Sequence, residues 1–362
     1  MSKKIIMFMP SIEGGGVEKN FFIVANYLSN FNNISVITIS NKYKNKFNKK
    51  IEFVTFNSQF WDRFQRKVKY FFALILLLKK FCLEKNKIVF CFQANIYTIL
   101  VCKIFRVKII VRSNSAPVGW SQNLIKKKIF KIVLGLADKI IVNSNEFKKD
   151  LKKEFQVDSI CIYNPLDKKR IINQSKKKIR KIFNENTLKI INVGRFVNQK
   201  DQLTLLRALN EIKNKINFNA VIIGKGILKD KLKDFILKNK LTNLIKLINF
   251  KKNPYPYILQ ANLFVLSSSF EGLPNVLLES LVLNKYIISS NCRTGPKEIL
   301  LNGKGGDLFK VGDYKKLAEL IMDYKKNKKL KLKKLNFARK NLDRFDYEIN
   351  LKKYLNLVNS II

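Results

Sequence analysis

The sequence predicts an α/β protein made of two doubly wound domains. Short apolar runs rich in β-branched residues alternate with segments of helical periodicity, which is typical of βαβ units and a parallel sheet. This alternation occurs twice, because a polar and basic stretch at residues 166–187 interrupts it. The length of 362 residues also exceeds what one hydrophobic core usually supports.

The first series begins with a predicted strand at KKIIMFMP, followed by the glycine loop SIEGGGVEK and a helix at NFFIVANYLSN. Further strands are predicted at ISVITIS, IEFVTFN, KIVFCFQ, VKIIVRS and KIIVNS. We assign residues 1–165 to an N-terminal domain and residues 166–187 to a linker that contains a helix.

The second series begins at LKIINVGRF and continues through FNAVIIGKG, LIKLINF, NLFVLSSS and KYIISSN. These runs predict a C-terminal domain at residues 188–345. The final segment FDYEINLKKYLNLVNSII has the pattern of an amphipathic helix, so residues 346–362 are expected to form a helix outside the second series.

Two glutamates in the second half, Glu271 and Glu279, are separated by seven residues. The run ANLFVLSSS predicts a buried strand that ends near Ser268, Gly272 and Pro274 predict a turn, and NVLLESLVL predicts a helix. We therefore expect Glu271 on a loop at the carboxyl end of a strand and Glu279 about two turns into the next helix. Ligands of open α/β sheets collect at this edge, where carboxylates accept bonds from hydroxyl groups and a helix N-terminus binds anions. The alternative is a pair of solvated glutamates.

Two glycine turns follow predicted strands and precede predicted helices. Gly15 and Gly16 belong to the first turn, and Gly224 and Gly226 belong to the second. Glycines at such positions let backbone amides approach a phosphate closely. Neither turn has the third glycine of a dinucleotide fingerprint, so a nicotinamide cofactor is poorly supported and a plain tight turn is the alternative.

A candidate phosphate-binding segment, NVGRFVNQKD, follows another predicted strand. Arg195 and Lys200 come after Gly194 there, and together they offer a planar fork and a point charge to a diphosphate. The alternative is that Arg195 and Lys200 are ordinary surface residues, because the chain has 71 lysines and arginines. There is no histidine and no Asp-x-Asp triplet, and the five cysteines lack metal-ligand spacing. We therefore expect no metal ion and no other cofactor, with phosphate charge met by basic side chains and amides.

Together these segments resemble the retaining glycosyltransferases of family four, which have the GT-B fold. The matching segments occur in the family's order over nearly the whole chain: GGGVEK, NVGRFVNQKD, VIIGKG, SSSFEGLPNVLLES, NCRTGPKEIL and GDLFKVGD. The resemblance implies two Rossmann-like domains that face a central cleft, with the last helix crossing back to the first domain. It also implies a metal-independent hexosyltransferase that retains the anomeric configuration.

The same resemblance implies the substrates and the residues that bind them. The donor is a nucleotide-diphosphate sugar, with UDP favoured, and the acceptor is lipid-linked or a surface polysaccharide. Arg195 and Lys200 would bind the diphosphate, Glu279 the ribose and Glu271 the transferred hexose or N-acetylhexosamine. The remaining implied donor-binding residues are Gly15, Gly16, Gly194, Gly224, Gly226, Gly272, Leu273, Asn275 and Val276. Many family members have a histidine that contacts the donor sugar where this chain has the segment 112–114. We assign its catalytic place to Asn114, whose amide can form one hydrogen bond with a sugar hydroxyl.

The net charge of +45 has three explanations: nucleic-acid binding, attraction to an anionic membrane, or a compositional bias toward lysine. The lysines are spread along the whole chain, which favours the bias. A basic nucleic-acid-binding protein is an alternative function, but it predicts clustered patches with stacking aromatics rather than the glutamate pair. A sugar-nucleotide epimerase of the same architecture is another alternative, although it needs acid/base residues.

Two basic, aromatic segments of the first half, residues 60–81 and 120–139, are typical of helices at a membrane interface. We expect their flanking charges, rather than the apolar run YFFALILLL, to dock this domain on anionic lipid; the alternative is a core helix. The run has nine residues, whereas a membrane span needs about 20. The first apolar run is too short for a signal peptide. We therefore expect a cytoplasmic protein, peripheral on the cytoplasmic face of the inner membrane.

Overall fold

The computed structural model describes residues 4–13, 15–56, 59–84, 87–114 and 123–361. The chain divides into two compact units. Unit 1 comprises Met1–Pro165 and Tyr347–Ile362, and unit 2 comprises Leu166–Asp346.

The described part of unit 1 contains a parallel sheet of seven strands. The strand order is β3-β2-β1-β4-β5-β6-β7. Successive strands are added on one side of β1 up to β3 and on its other side from β4 onward, so the switch point lies between β1 and β4. Such a switch point is where doubly wound sheets bind ligands. The strands are β1 (Lys4–Phe8), β2 (Asn33–Ile37), β3 (Glu52–Val54), β4 (Lys87–Cys91), β5 (Lys108–Arg112), β6 (Lys139–Val142) and β7 (Ile160–Cys161).

Helices cover both faces of this sheet because successive side chains of a strand point to opposite sides. Ile5 and Met7 of β1 pack in one core with the first and last helices, whereas Ile6 and Phe8 pack in a second core with the other four. The last helix therefore lies in unit 1, as predicted. These helices are α1 (Gly16–Leu28), α2 (Arg66–Leu83), α3 (Asn95–Ile104), α4 (Leu124–Gly135), α5 (Asn145–Phe155) and α14 (Tyr347–Asn359).

Unit 2 has a parallel sheet of the order β10-β9-β8-β11-β12-β13, with its switch point between β8 and β11. The strands are β8 (Leu188–Val193), β9 (Phe218–Gly224), β10 (Ile245–Asn249), β11 (Leu263–Leu266), β12 (Tyr286–Ser290) and β13 (Asp307–Phe309). The helices are α6 (Lys168–Ser175), α7 (Gln202–Ile212), α8 (Lys229–Lys238), α9 (Tyr255–Leu259), α10 (Asn275–Val282), α11 (Pro296–Ile299), α12 (Tyr314–Lys326) and α13 (Lys328–Lys340). Two doubly wound α/β sheets are thus confirmed, and α6 lies within the stretch that was predicted to be a linker.

Candidate functional site

The carboxyl ends of β8 and β11 meet at the switch point of unit 2, and each strand is followed by a loop that carries a predicted site residue. β11 ends at Leu266, two residues earlier than predicted, and Glu271 lies on the loop that follows it. α10 begins at Asn275, so Glu279 lies a little more than one turn into this helix instead of two. The predicted strand, turn and helix are therefore present with shifted boundaries.

Lys200 and Glu271 form an ion pair at this switch point. Lys200 Nζ donates to Glu271 Oε1 at 2.5 Å, and Ser268 Oγ donates to the same oxygen at 2.6 Å. The two side chains are only 17% and 8% exposed. Glu271 Oε2 accepts no hydrogen bond from the part of the chain that the structure describes. A ligand that reaches this loop thus meets one available carboxylate oxygen beside a shielded ammonium group.

The backbone around Lys200 is fixed from both sides. Asp201 adopts a left-handed conformation with φ 41°, and its side chain caps α7 by accepting from Thr204 N and Thr204 Oγ1. Lys200 N donates to Val197 O at 2.9 Å, and Ser267 Oγ donates to Lys200 O at 3.2 Å. The lysine therefore stands on a preorganised loop, which favours a role in stabilising charge.

The end of β12 and the loop that follows it support the Glu271 loop. Thr294 Oγ1 donates to Glu271 O at 2.5 Å, and Ser290 Oγ donates to Ser268 O at 2.6 Å. A Cβ atom on Gly295, whose φ is +87°, would lie 2.1 Å from Gly272 O, so the two loops touch where only glycine fits. Sequence reasoning missed Thr294 and Ser290, although the segment TGPKEI was part of the resemblance.

The other predicted residues of unit 2 have different surroundings. Glu279 is buried, and its Oε1 accepts from Tyr255 Oη at 2.9 Å, a partner that the sequence did not indicate. The Arg195 side chain is exposed, while its carbonyl accepts from Gln202 Nε2 at 3.0 Å. Leu273 is buried, as expected of a packing residue. The structure thus brings Lys200 and Glu271 into direct contact, whereas the donor-binding roles of the others stay predictions.

The glycines of unit 2 give a stability prediction. We expect Gly224→Ala to destabilise unit 2 by about 1–3 kcal/mol, the usual cost of overpacking, and Gly194→Ala to be nearly neutral. A Cβ atom at position 224 would lie 2.0 Å from Gly194 O and 2.6 Å from Phe196 Cε1, whereas at position 194 the nearest atoms are 3.5 Å away. Gly226, with φ +154°, is similarly close to Phe196 O at 2.3 Å.

Urea unfolding followed by circular dichroism measures this difference between the two alanine variants. Equal midpoints would contradict a packing role for Gly224. A packing role explains Gly224 and Gly226 without a ligand, so their part in donor binding remains a prediction.

In unit 1, the loop after β1 is organised by two carboxylates. Gly15 precedes Gly16, the first residue of α1, and a Cβ atom on Gly15 would lie 2.7 Å from Glu18 Oε2. Glu18 Oε1 accepts from Glu13 N at 3.4 Å, and Glu13 pairs with Arg66 at 2.6 Å. The hydrogen bond from Arg66 is the largest influence on the pKa of Glu13 and lowers it. The approach of Gly15 and Gly16 to a donor stays a prediction.

Asn114 is engaged within unit 1 by a buried arginine. Arg112 is 1% exposed, and its guanidinium donates to Asn114 Oδ1, to Tyr354 Oη at 2.8 Å and to Asn164 Oδ1 at 2.5 Å. Asn114 Nδ2 donates to Phe92 O at 3.0 Å and more weakly to Arg112 O at 3.4 Å. Both amide protons are thus occupied, and only a lone pair of Oδ1 is left for the predicted contact with a sugar hydroxyl.

The described residues contain no group of three His, Cys, Asp or Glu side chains placed to hold a metal ion. Metal independence of any reaction stays a prediction. Burial raises the pKa of Cys292 to about 12, and the charge of Glu271 adds to this effect. This thiol is therefore protonated at neutral pH and is a poor nucleophile.

Comparison with known proteins shows which proteins this chain is similar to. Residues 173–341 match the family model described as Glycosyl transferases group 1. An uncharacterized glycosyltransferase of Methanocaldococcus jannaschii is 35% identical over 218 residues, which are 56% of this chain and 53% of that protein. The N-acetylgalactosamine-N,N'-diacetylbacillosaminyl-diphospho-undecaprenol 4-alpha-N-acetylgalactosaminyltransferase of Campylobacter jejuni is 27% identical over 75% of this chain and 76% of its own length.

The fold is shared with the crystal structure of Anabaena HepE in complex with UDP. The TM-score is 0.80 at 16% identity, with 99% of this chain and 100% of that chain covered. The predicted GT-B fold and the resemblance to group 1 glycosyltransferases are therefore confirmed.

Proposed function

We propose that this protein is a retaining glycosyltransferase that moves a hexose or N-acetylhexosamine from a nucleotide-diphosphate sugar to a lipid-linked or surface-polysaccharide acceptor. The observation that carries the proposal is the buried Lys200–Glu271 pair at the switch point of unit 2, inside the region that matches the group 1 model. The UDP in the HepE structure supports a UDP-sugar donor. The diphospho-undecaprenol in the name of the Campylobacter relative supports a lipid-linked acceptor.

In the proposed reaction, the bond between the anomeric carbon and the diphosphate oxygen breaks while the acceptor hydroxyl attacks from the same face. The hydroxyl proton passes to the departing diphosphate oxygen, so no protein nucleophile is required. Lys200 and Arg195, with the N-terminus of α10, stabilise the negative charge that develops on the diphosphate. Glu271 Oε2 accepts a hydrogen bond from a hydroxyl of the transferred sugar and so orients the sugar, and Glu279 binds the ribose hydroxyls.

Donor binding tests this assignment. We expect saturation-transfer NMR with UDP-glucose, UDP-N-acetylglucosamine and GDP-mannose to show binding of at least one donor to the wild-type chain. Glu271→Ala and Lys200→Ala should each weaken that binding by about tenfold or more, because each removes a charge-assisted hydrogen bond.

Two exposed residues of unit 2 provide controls for the loss of charge. Glu211→Ala on α7 and Lys233→Ala on α8 should leave donor binding unchanged. Undiminished binding in both site variants would refute the site assignment. The anomeric configuration of the product, read from its proton coupling constant, tests retention separately.

We also propose that the protein works as a peripheral protein on the cytoplasmic face of the inner membrane. Within the described ranges, no helix combines the length and the apolar character needed to cross a bilayer. A lipid-linked acceptor presents its reactive sugar at the membrane surface. The net charge of +45 favours contact with anionic lipid whatever its origin.

A further inference from the structure

Three neighbouring helices of unit 1 lie on the same side of its sheet. α2, α3 and α4 all contribute to the core that contains Ile6 and Phe8 of β1. α3 packs against α4, and the ring of Phe81 in α2 lies 5.8 Å from the ring of Phe105, which directly follows α3. The sides of these helices that point away from the sheet therefore adjoin one another.

Each of these helices carries large apolar side chains on its outer side. Their spacing of four or seven residues places the side chains of each helix in one stripe. In α4 the stripe is distinct from the side that faces α5, where Lys127 pairs with Glu154 and Lys131 donates to Gln156. We call these residues, which are between 40% and 76% exposed, the apolar face: Phe71 and Ile75 of α2, Leu100 and Ile104 of α3, and Ile125 and Ile132 of α4.

The charged residues of the helices that carry the apolar face are all basic. Some of them pair with acids of other elements: Arg66 with Glu13, Lys80 with Glu52 and Glu84, Lys103 with Asp138, and Lys127 with Glu154. α2 has five basic residues, α3 has one and α4 has four, while none of the three helices contains an acidic residue. Pairing of two copies through this face would bring these positive charges together, which is unfavourable. An anionic surface complements them, and exposed apolar side chains grouped in one patch mark an interaction site.

We propose that the apolar face enters the interfacial layer of an anionic lipid bilayer, with the basic residues of α2 and α4 contacting the headgroups. The proposal rests on the peripheral membrane association proposed above and names the surface responsible for it. It differs from the sequence-based expectation, in which the flanking charges alone dock the domain. Ala73 and Leu77 of α2 are buried as in a core helix, while Phe71 and Ile75 of the same run YFFALILLL are exposed.

Cosedimentation of the full-length protein with vesicles tests the proposal. The vesicles are phosphatidylcholine alone or phosphatidylcholine with 30 mol% phosphatidylglycerol, a composition chosen for its anionic charge. The wild-type chain should partition more strongly into the anionic vesicles. Ile125→Gln with Ile132→Gln should lower the partition coefficient by about tenfold or more at both low and high salt, because apolar burial is lost.

Two further variants separate apolar from electrostatic contributions. Lys126→Gln with Lys128→Gln, both exposed and on the same helix, should weaken binding at low salt and have little effect at high salt. Leu330→Gln with Leu332→Gln removes two exposed leucines from the lysine-rich α13 of unit 2 and should leave binding unchanged.

Three results would each overturn the proposal. The first is equal partition of the wild-type chain into neutral and anionic vesicles, and the second is unchanged partition of the Ile125/Ile132 variant. The third is a wild-type dimer in sedimentation velocity together with a monomeric Ile125/Ile132 variant. Sugar transfer to a water-soluble acceptor is measured without vesicles. If the wild-type chain transfers the sugar but does not bind vesicles, this proposal fails and the proposed function stands. The Ile125/Ile132 variant should retain that activity.

Discussion

Replacing Lys200 with methionine is expected to lower kcat/KM for sugar transfer by about 10²- to 10³-fold, the loss typical of removing one preorganised group that stabilises developing charge. Methionine keeps the length and the apolar stem of the lysine but has no ammonium group. Lys200 Nζ is shielded from water and stands on a loop fixed by Asp201 and Ser267. A mobile surface lysine would not give a loss of this size. Steady-state kinetics with the preferred donor measure it.

The same substitution leaves the buried carboxylate of Glu271 without its cation, which is expected to cost about 3–5 kcal/mol of stability. The double variant Lys200→Met/Glu271→Gln should recover much of this stability, because the unpaired charge is gone. Its kcat/KM should stay low, because the charge facing the diphosphate is still missing. Recovery of wild-type kcat/KM in the double variant would show that Lys200 acts only through the structure.

A second buried ion pair of unit 2 provides the control. Lys331 pairs with Asp307 at 2.6 Å, and both side chains are less exposed than those of Lys200 and Glu271. Asp307 lies on the edge strand β13, which is two strands away from β11, so β12 separates the pair from the candidate loops. Lys331→Met removes this pair and the pair with Asp323, but Asp307 keeps Lys334 at 2.7 Å. We therefore expect a smaller loss of stability than for Lys200→Met, with the wild-type kcat/KM retained by the folded fraction.

Local patterns predicted the parts of the fold that depend on neighbouring residues. Apolar alternation identified both sheets, and Gly194 and Gly272 after predicted strands marked the loops that carry Lys200 and Glu271. Their contact joins residues 71 positions apart, and it exists because the strand order places β8 beside β11. No local pattern contains that information. The boundaries around Glu279 shifted by a few residues because propensity does not specify where a strand ends.

The environment of Asn114 shows the same limit. The sequence placed it after a strand and suggested an available amide, but that amide is held by Arg112. Tyr354, another partner of Arg112, lies 242 residues farther along the chain than the arginine. Apolar periodicity likewise predicted α4 without indicating that the stripe containing Ile125 stays uncovered, since the covering of a helix depends on tertiary packing.

The Arg112–Tyr354 contact leads to the second large effect, a loss of stability in unit 1. Arg112 is buried, and among the described residues its hydrogen-bond partners are all neutral. Each acceptor therefore compensates for part of the hydration free energy that the guanidinium lost on burial. Tyr354→Phe removes the acceptor of Arg112 Nε and is expected to cost about 1.5–3 kcal/mol. Unit 2 contains no tryptophan and Trp61 belongs to unit 1, so tryptophan fluorescence during urea unfolding reports on unit 1.

Tyr43→Phe provides the control, because this half-buried ring packs on Phe22 in unit 1 and has no hydrogen-bond partner among the described residues. Its unfolding midpoint should match the wild type, and an equal midpoint for Tyr354→Phe would contradict the proposed compensation. Arg112→Met removes the charge itself, so adding Tyr354→Phe to that variant should cost much less than adding it to the wild type. The difference between the two costs is the coupling free energy of the contact. Because Tyr354 belongs to α14, a large coupling means that the last helix of the chain is held in unit 1 partly by the same arginine that orients Asn114.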